Sequence, residues 1–189
     1  MICHTIDVKE LLLSEGELRL RLKVPKDISL DFAGEMQMAV RSVIKCKMVA
    51  VRVPVEIKED YVDIGFGPVL SRNLVKALWG CSEAYVFGVT LGMDVDRYLL
   101  RLSKTSVSEM YLCDSIASAY AEAAADRAQE LLLGADCKNV RFSPGYGDLS
   151  LEYQRDILKI LDAKSNLGIT LTDSLLMKPQ KTITAIVGI

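Results

Sequence analysis

The segment 141–150 (RFSPGYGDLS) has the residue types in this chain best suited to holding a small molecule. Arg141 is always charged, and its planar guanidinium can form a bidentate pair with a ligand carboxylate. Gly145 and Gly147 have no Cβ, so a flat ligand can lie close to the backbone N–H and C=O groups. Tyr146 adds an aromatic face and a hydroxyl. This set fits a small zwitterionic or heteroaromatic ligand better than a phosphate.

A plain turn between two helices would use the same residues. Pro144 fixes its own φ, the glycines on either side of Tyr146 permit positive φ, and Asp148 or Ser150 can cap a following helix. Taken alone, the segment therefore leaves a structural turn and a ligand-binding loop both open.

Other kinds of site chemistry find little support in the sequence. His4 is the one histidine, which argues against a histidine-based triad or a metal site with several histidines, and the adjacent Cys3 is not expected to bind metal. No GxxxxGK[ST] motif is present, and GFGPVL (65–70) lacks the third glycine of a GxGxxG loop. Aspartates on predicted helices are expected to face solvent or a helix N-terminus. They are Asp94, Asp96, Asp114 and Asp126. We expect no catalytic residue and no metal ligand.

Length and composition predict one folded domain over residues 1–189. The chain is 50% hydrophobic and 25% charged, and its formal charge of −2 gives no general attraction to nucleic acid or anionic membranes. The five cysteines form no CxxC pair, which is typical of free thiols in a reducing compartment. The acidic N-terminal residues predict no signal peptide, and no stretch approaches the roughly 18 to 20 apolar residues of a membrane span. We expect a soluble, cytoplasmic protein.

Hydrophobic periodicity places elements along the first third of the chain. Residues 16–25 alternate leucine or valine with charge, which predicts a strand. Residues 29–48 have apolar side chains three or four apart, beginning at Phe32, which predicts a helix. Residues 49–57 predict a second strand, in which Pro54 favours an edge position or a bulge.

The remaining elements mix strands and helices without regular βαβ repeats. They are a short helix that Ser71 caps, a buried strand at 83–92, a helix at 93–104, a long alanine-rich helix ended by Gly134, one helix from Ser150 to Gly168 and a final strand at 181–189. This order favours an α+β fold, with a mixed, mainly antiparallel sheet packed with helices.

A second segment turns the loop into a recognisable pattern. Residues 167–179 read LGITLTDSLLMKP. Together with RFSPGYG, this resembles the activation (reactivation) domain of cobalamin (vitamin B12)-dependent methionine synthase, in a short stand-alone form. The family pattern is an Arg-x-x-Pro-Gly-Tyr loop, a helix, Gly-x-x-Leu-Thr-[Glu/Asp]-Ser-x-x-Met-x-Pro and a closing strand. The clear resemblance covers residues 71–189, and residues 1–70 are placed by continuity.

The resemblance implies an accessory role in a methyltransferase system rather than an enzyme acting alone. Such domains bind S-adenosylmethionine, which methylates cobalamin after the oxidised cob(II) form takes an electron from a flavodoxin-like or ferredoxin-like donor. Cobalamin modules usually need an Asp-x-His-x-x-Gly motif, and His4 has neither neighbour. The cobalamin is therefore expected on a partner, a methionine synthase or another corrinoid protein.

The resemblance also assigns roles to the loop residues. Arg141 would hold the ligand carboxylate. The backbone of Ser143, Pro144 and Gly145 would line the adenine, and Tyr146 would pack against the ligand.

Two departures from the family concern the ligand. Ser118 stands where the fused enzymes have a helix glutamate that helps to hold the ligand's amino group, and Glu122 lies one turn further on the same face. The chain ends at Ile189, so a C-terminal extension of the fused domain is expected to be absent. These departures keep a second function open, a corrinoid-protein docking module that has lost S-adenosylmethionine binding. A third is an S-adenosylmethionine-using enzyme unrelated to cobalamin, for which Asp148 and Tyr146 are the nearby candidate bases.

Overall fold

The computed structural model describes residues 1–27, 29–31, 33–137 and 139–189. The strands of its central sheet are β1 (Ile2–Thr5), β2 (Lys47–Pro54), β6 (Glu83–Thr90) and β9 (Thr182–Gly188). They lie in the order β1-β2-β6-β9, and each pairs antiparallel with its neighbours. The predicted α+β fold with a mainly antiparallel sheet is therefore confirmed.

Short strands and helices complete the chain around this sheet. The short strands are β3 (Glu56–Ile57), β4 (Val62–Asp63), β5 (Pro68–Val69), β7 (Thr170–Leu171) and β8 (Met177–Lys178). The helices are α1 (Glu15–Leu22), α2 (Ala33–Val43), α3 (Arg72–Ala77), α4 (Met93–Leu102), α5 (Val107–Leu133), α6 (Gln154–Ile160) and α7 (Ala163–Leu167), with 3-10 turns at Val8–Glu10 and Leu151–Tyr153.

The sheet separates two hydrophobic layers because alternate residues of a strand point to opposite faces. On β6, Phe87 and Val89 belong to the core that the sheet shares with α1, α2, α4 and α5. Ala84 and Val86 belong to the core shared with α3, α6 and α7. Strand β6 is thus buried on both faces, as its continuous apolar run predicts.

Helix α5 brings the first layer together through small side chains. Its buried alanines are Ala117, Ala119, Ala121, Ala124, Ala125 and Ala128. Alanine lets α1, α2 and α4 approach α5 closely and favours the helix intrinsically. Ser106 accepts a hydrogen bond from the Glu109 N–H at 3.3 Å, and Gly134 ends the helix with a φ of 87°. The predicted long helix and its terminal glycine are confirmed.

Three further predictions in the first half of the chain can be compared with the structure. Ser71 caps α3 by accepting from the Leu74 N–H at 3.0 Å, as predicted. The helix predicted at 29–48 is α2, which ends at Val43, and the last two predicted residues belong to β2 instead. Phe32 lies outside the described residues. Strand β2 is an interior strand, which the edge prediction missed. Pro54 is nevertheless the last residue of β2. Strand β1 pairs only with Lys47 to Ala50, so Pro54 lies beyond the part of β2 that has a strand on both sides.

The strand predicted at residues 16–25 is wrong, because these residues form helix α1. Ser14 caps it by accepting from the Glu17 N–H at 3.1 Å, and glutamate–arginine pairs four residues apart stabilise the helix. Leu18 and Leu22 are buried one turn apart, while Leu20 is 71% exposed. The alternation of leucine and charge hid this spacing of four.

The single helix predicted from Ser150 to Gly168 is also wrong. Asp162 adopts a left-handed conformation with a φ of 41°, which separates α6 from α7. The Asn166 side chain donates to the Leu161 carbonyl at 2.9 Å, so the broken end of α6 has a partner. The break lets both Ile157 and Ala163 reach the core.

The loop after α5 is fixed at both ends. At its start, Phe142 and Ile186 of β9 exchange backbone hydrogen bonds of 2.8 Å in each direction. At its end, the Asp148 carboxylate accepts from the Ser71 hydroxyl and from the N–H groups of Arg72 at 2.9 Å and Asn73 at 3.2 Å. Asp148 therefore caps α3 across the fold rather than the helix that follows it.

Helix α1 predicts that two of its leucines, Leu18 and Leu20, contribute differently to the free energy of unfolding. Leu18→Ala should destabilise the protein by about 2–5 kcal/mol because it empties a buried site. Leu20→Ala should change the free energy of unfolding by less than about 0.5 kcal/mol. Urea denaturation measures both. A strand would place the two leucines on one face, so equal losses would contradict the helix.

The Asp148 cap predicts an acid-sensitive contribution to stability. The Ser71 hydroxyl, followed by the backbone N–H groups, holds the pKa of Asp148 below its ordinary value. The contribution is therefore present above the unfolded pKa of about 3.9 and is lost as the pH falls through the folded value. Asp148→Asn should lower the melting temperature at pH 7, and the difference from the wild type should shrink towards pH 3. Asp173→Asn, at an exposed carboxylate in another loop, is the control. A difference that stays constant with pH would refute the ionic role.

Candidate functional site

Arg141 points across the edge of the sheet onto helix α5. Because Phe142 pairs with β9 and packs in the α3–α6 layer, its neighbour Arg141 faces the opposite layer. Its guanidinium donates to Asp126 Oδ1 at 2.6 Å and to Glu122 Oε2 at 3.2 Å. A longer contact of 3.5 Å reaches Gln129 Oε1.

Glu122 links Arg141 to the N-terminal helix. Its second oxygen, Oε1, accepts from Arg21 of α1 at 3.2 Å, and Arg21 also donates to Glu17 at 2.9 Å. Acidic and basic side chains therefore alternate in one chain of ion pairs, Glu17–Arg21–Glu122–Arg141–Asp126. We call these five residues the charged chain.

The charged chain lines a cleft of about 480 Å³ between α1 and α5. Leu12, Leu13 and Ser14, from the segment before α1, and Ala119 and Ala123 of α5 complete its walls. The cleft lies in the roughly 300–1,000 Å³ range of small-molecule sites. It offers charges of both signs, as recognition of a zwitterion requires.

Partial burial strengthens the pairs in this cleft. The side chain of Arg141 is 22% exposed and that of Glu122 is 31% exposed, so water screens the ion pair between them only in part. The Glu17 carboxylate raises the pKa of Arg21 through its hydrogen bond, and the charge of Glu122 raises it further. Arg21 and Arg141 both have guanidinium groups, which stay charged at physiological pH.

Ser118 lies away from the charged chain. Its hydroxyl donates to the Asp114 carbonyl at 3.0 Å and accepts from the Lys181 ammonium at 2.9 Å. Lys181 also forms an ion pair with Asp114 at 2.8 Å. On α5, the acidic residue that meets Arg141 one turn beyond Ser118 is Glu122, the alternative raised from the sequence.

The other predicted loop residues form a compact turn that follows Arg141 and Phe142 in the chain. Tyr146 N–H donates to the Ser143 carbonyl at 3.0 Å, and Gly145 N–H donates to the Leu149 carbonyl at 2.8 Å. Ser143 and Pro144 are buried, whereas Tyr146 is 53% exposed, with its ring edge-on to Phe142 at 6.2 Å. These loop residues are not among the described residues that line the charged cleft.

The backbone of the turn accounts for Gly147. Its φ of 53° lies in the left-handed region that strains other residues, and a Cβ there would also displace the side chain of Asn73 at the start of α3. This glycine thus supports the turn interpretation, while Arg141 supports the ligand interpretation.

The second recognised segment forms the hairpin β7–β8. Thr172 closes its turn by accepting from the Leu176 N–H at 3.0 Å. Leu151, which follows the loop, joins this hairpin in lining a separate groove of about 430 Å³. The buried Gln154 ties the hairpin to the sheet through contacts of 3.3 Å to Met177 Sδ and 2.8 Å to Thr184 Oγ1.

Sequence reasoning missed Glu17, Arg21 and Asp126 as members of the site. Asp126 and Asp114 are expected to face solvent or a helix end, and their side chains are 63% and 42% exposed. Their ion pairs with Arg141 and Lys181 were not predicted. The spacing of four between Glu122 and Asp126 is the signal that they share a helix face with each other.

Of the described residues, no group of three or more His, Cys, Asp or Glu is arranged to hold a metal ion. Within the same residues, no helix is long and apolar enough to cross a membrane.

Comparison with known proteins agrees with this architecture. The family described as "Vitamin B12 dependent methionine synthase, activation domain" matches residues 83–188, more than half of the chain. A search of curated proteins gave no match. The crystal structure of the MetH reactivation domain bound to AdoHcy is similar with a TM-score of 0.74 and 13% sequence identity, over 99% of this chain and 77% of that chain. The chain therefore belongs to the family of vitamin B12 dependent methionine synthase activation domains.

Proposed function

We propose that this chain is an S-adenosylmethionine-binding reactivation subunit. It caps the cobalamin of a partner methionine synthase or corrinoid methyltransferase and supports reductive methylation of cob(II)alamin. Bound S-adenosylmethionine supplies the methyl group for that reaction. The chain itself binds and orients the ligand, and it acts as an accessory part of the system.

The meeting of Arg141 and Glu122 is the observation on which the proposal rests. The two residues are 19 apart in the sequence, and their side chains lie 3.2 Å apart in the charged cleft. An α-amino acid presents one carboxylate and one ammonium, and the cleft offers guanidinium and carboxylate groups within a few ångströms of each other. The amino-acid end of S-adenosylmethionine therefore fits the charges that line the cleft.

Binding requires Arg141 to share its donors. A guanidinium has five N–H donors, so a ligand carboxylate can pair with Arg141 without every existing contact being lost. A charge-assisted, bidentate pair is the strongest contact this cleft can offer to an anion. The charges already present hold Arg141 in place before the ligand arrives, which reduces the entropy that binding must overcome.

The loop beyond Arg141 is the proposed site for the adenine end. Four residues of extended chain span at most roughly 14 Å, so Gly145 lies within that distance of Arg141. The carbonyl of Ser143 keeps a second lone pair after accepting from Tyr146. With Pro144 and Gly145 it can line a heteroaromatic ring, and the exposed face of Tyr146 can pack against the ligand.

The partner and the setting are part of the same proposal. We infer that the partner holds the cobalamin and that a flavodoxin-like or ferredoxin-like protein donates the electron, in the cytoplasm. The sequence has no Asp-x-His-x-x-Gly motif around its one histidine, His4. The central sheet takes β1 from one end of the chain and β9 from the other, which supports one domain over residues 1–189.

A docking module without ligand binding is the second candidate. It is favoured by the same contacts, because Glu122 and Asp126 both pair with Arg141 and neutralise its charge. Among the described residues, no contact of the loop favours the third candidate, an S-adenosylmethionine-using enzyme unrelated to cobalamin. Its candidate base Asp148 is engaged by three donors on α3, and the Ser71 hydroxyl holds its pKa below the ordinary value.

Calorimetric titration of S-adenosylmethionine into the purified protein tests ligand binding. Arg141→Ala should weaken binding by about 10- to 150-fold, the equivalent of roughly 1.5–3 kcal/mol for a charged hydrogen-bonded contact. Arg97→Ala is the matched control, because the Arg97 side chain is 70% exposed on α4 and outside the cleft. Equal affinity in the wild type and Arg141→Ala would remove the site assignment.

Association with a corrinoid protein separates the two candidates. We expect cobalamin-loaded methionine synthase that lacks a fused activation domain to bind the chain more tightly when S-adenosylmethionine is present. Analytical ultracentrifugation with and without the ligand measures this. Association that ignores the ligand would favour the docking module, and no association under either condition would contradict both candidates.

A further inference from the structure

We propose that Asp126, rather than Glu122, accepts the ammonium group of S-adenosylmethionine. Glu122 is then a positioning residue that holds two guanidiniums in place. This inference rests on the proposed function and refines it, by giving the two ends of the amino-acid group separate partners. It also departs from the sequence expectation that Glu122 replaces the family's helix glutamate.

Both oxygens of Glu122 already accept hydrogen bonds from arginines. Oε1 accepts from Arg21 and Oε2 from Arg141, each at 3.2 Å. An ammonium placed on Glu122 would therefore lie between two guanidiniums, where like charges repel it. The position suits a carboxylate that links α1, α5 and the loop, and it does not suit a ligand cation.

Asp126 is placed differently on the same face of α5. Its Oδ1 accepts from Arg141 at 2.6 Å, at the outer end of the charged chain. Its side chain is 63% exposed, compared with 31% for Glu122, so an incoming ligand can reach it. One guanidinium rather than two lies next to it in the charged chain.

The charge balance points to the same residue. The charged chain has three carboxylates, Glu17, Glu122 and Asp126, against two guanidiniums, Arg21 and Arg141, which leaves one carboxylate in excess (3 − 2 = 1). When a ligand carboxylate takes Arg141, the carboxylate that it displaces needs a new cation. The ligand's own ammonium, attached to the neighbouring carbon, supplies that cation to Asp126.

Adjacency explains why Arg141 and Asp126 suit an α-amino acid. Its carboxylate and ammonium are bonded to one carbon, so their partners must be neighbours in the site. Arg141 and Asp126 are such neighbours, held in direct contact. Glu17, at the other end of the charged chain, is separated from Arg141 by Arg21 and Glu122.

The test compares two ligands across variants by calorimetric titration. The ligands are S-adenosylmethionine and its analogue with a hydroxyl in place of the amino group. In the wild type, the hydroxyl analogue should bind about tenfold or more weakly, since a charge-assisted contact is lost. In Asp126→Asn, the two ligands should differ by less than about threefold, and Asp126→Glu should restore the difference.

Glu122→Gln is the discriminating comparison. It should weaken both ligands together and leave the tenfold difference between them in place. A difference that persists in Asp126→Asn, or that disappears in Glu122→Gln, would overturn this assignment while leaving the proposed function intact. Failure of the wild type to bind S-adenosylmethionine would overturn the proposed function and this inference together.

Discussion

Two backbone hydrogen bonds between Phe142 and Ile186 decide which side of the sheet receives Arg141. They continue the sheet past β9 by one residue pair, so the side chains of the loop must alternate between the two layers. Phe142 enters the α3–α6 core, and Arg141 turns to α5. A shift of one residue would reverse this and place a guanidinium in an apolar layer. The charged cleft therefore depends on a register that the sheet itself fixes.

The elements that sequence reasoning predicted are those whose local signals agree with their tertiary setting. Strand β6 is apolar throughout because it is buried on both faces, and α5 is rich in alanine because three helices pack on it. Ser71 accepts from the nearby Leu74 N–H and Gly134 ends α5, so both signals can be read from the local sequence. Glu122 was named from the family resemblance as a possible ligand contact, and its ion pair with Arg141 was not predicted.

The elements that were missed depend on contacts between distant segments. In α1, leucines alternate with charges, and only the packing of Leu18 and Leu22 on the core selects the helical spacing. The roles of Arg21 and Asp126 could not be inferred without knowing that α1 lies against α5. Whether segment 141–150 is a structural turn or a ligand-binding loop also could not be decided without the fold. Gly147 and Asp148 fix the loop against α3, while Arg141 forms part of the cleft.

The central claim is that this cleft holds the amino-acid end of S-adenosylmethionine. A crystal structure of the chain grown with S-adenosylmethionine tests it most directly. We predict the ligand carboxylate within hydrogen-bonding distance of Arg141 and the ammonium beside Asp126, with Glu122 still joining Arg21 to Arg141. Density for the ligand in another cavity, or an empty cleft with Arg141 still bonded to Asp126 at saturating ligand, would contradict the claim.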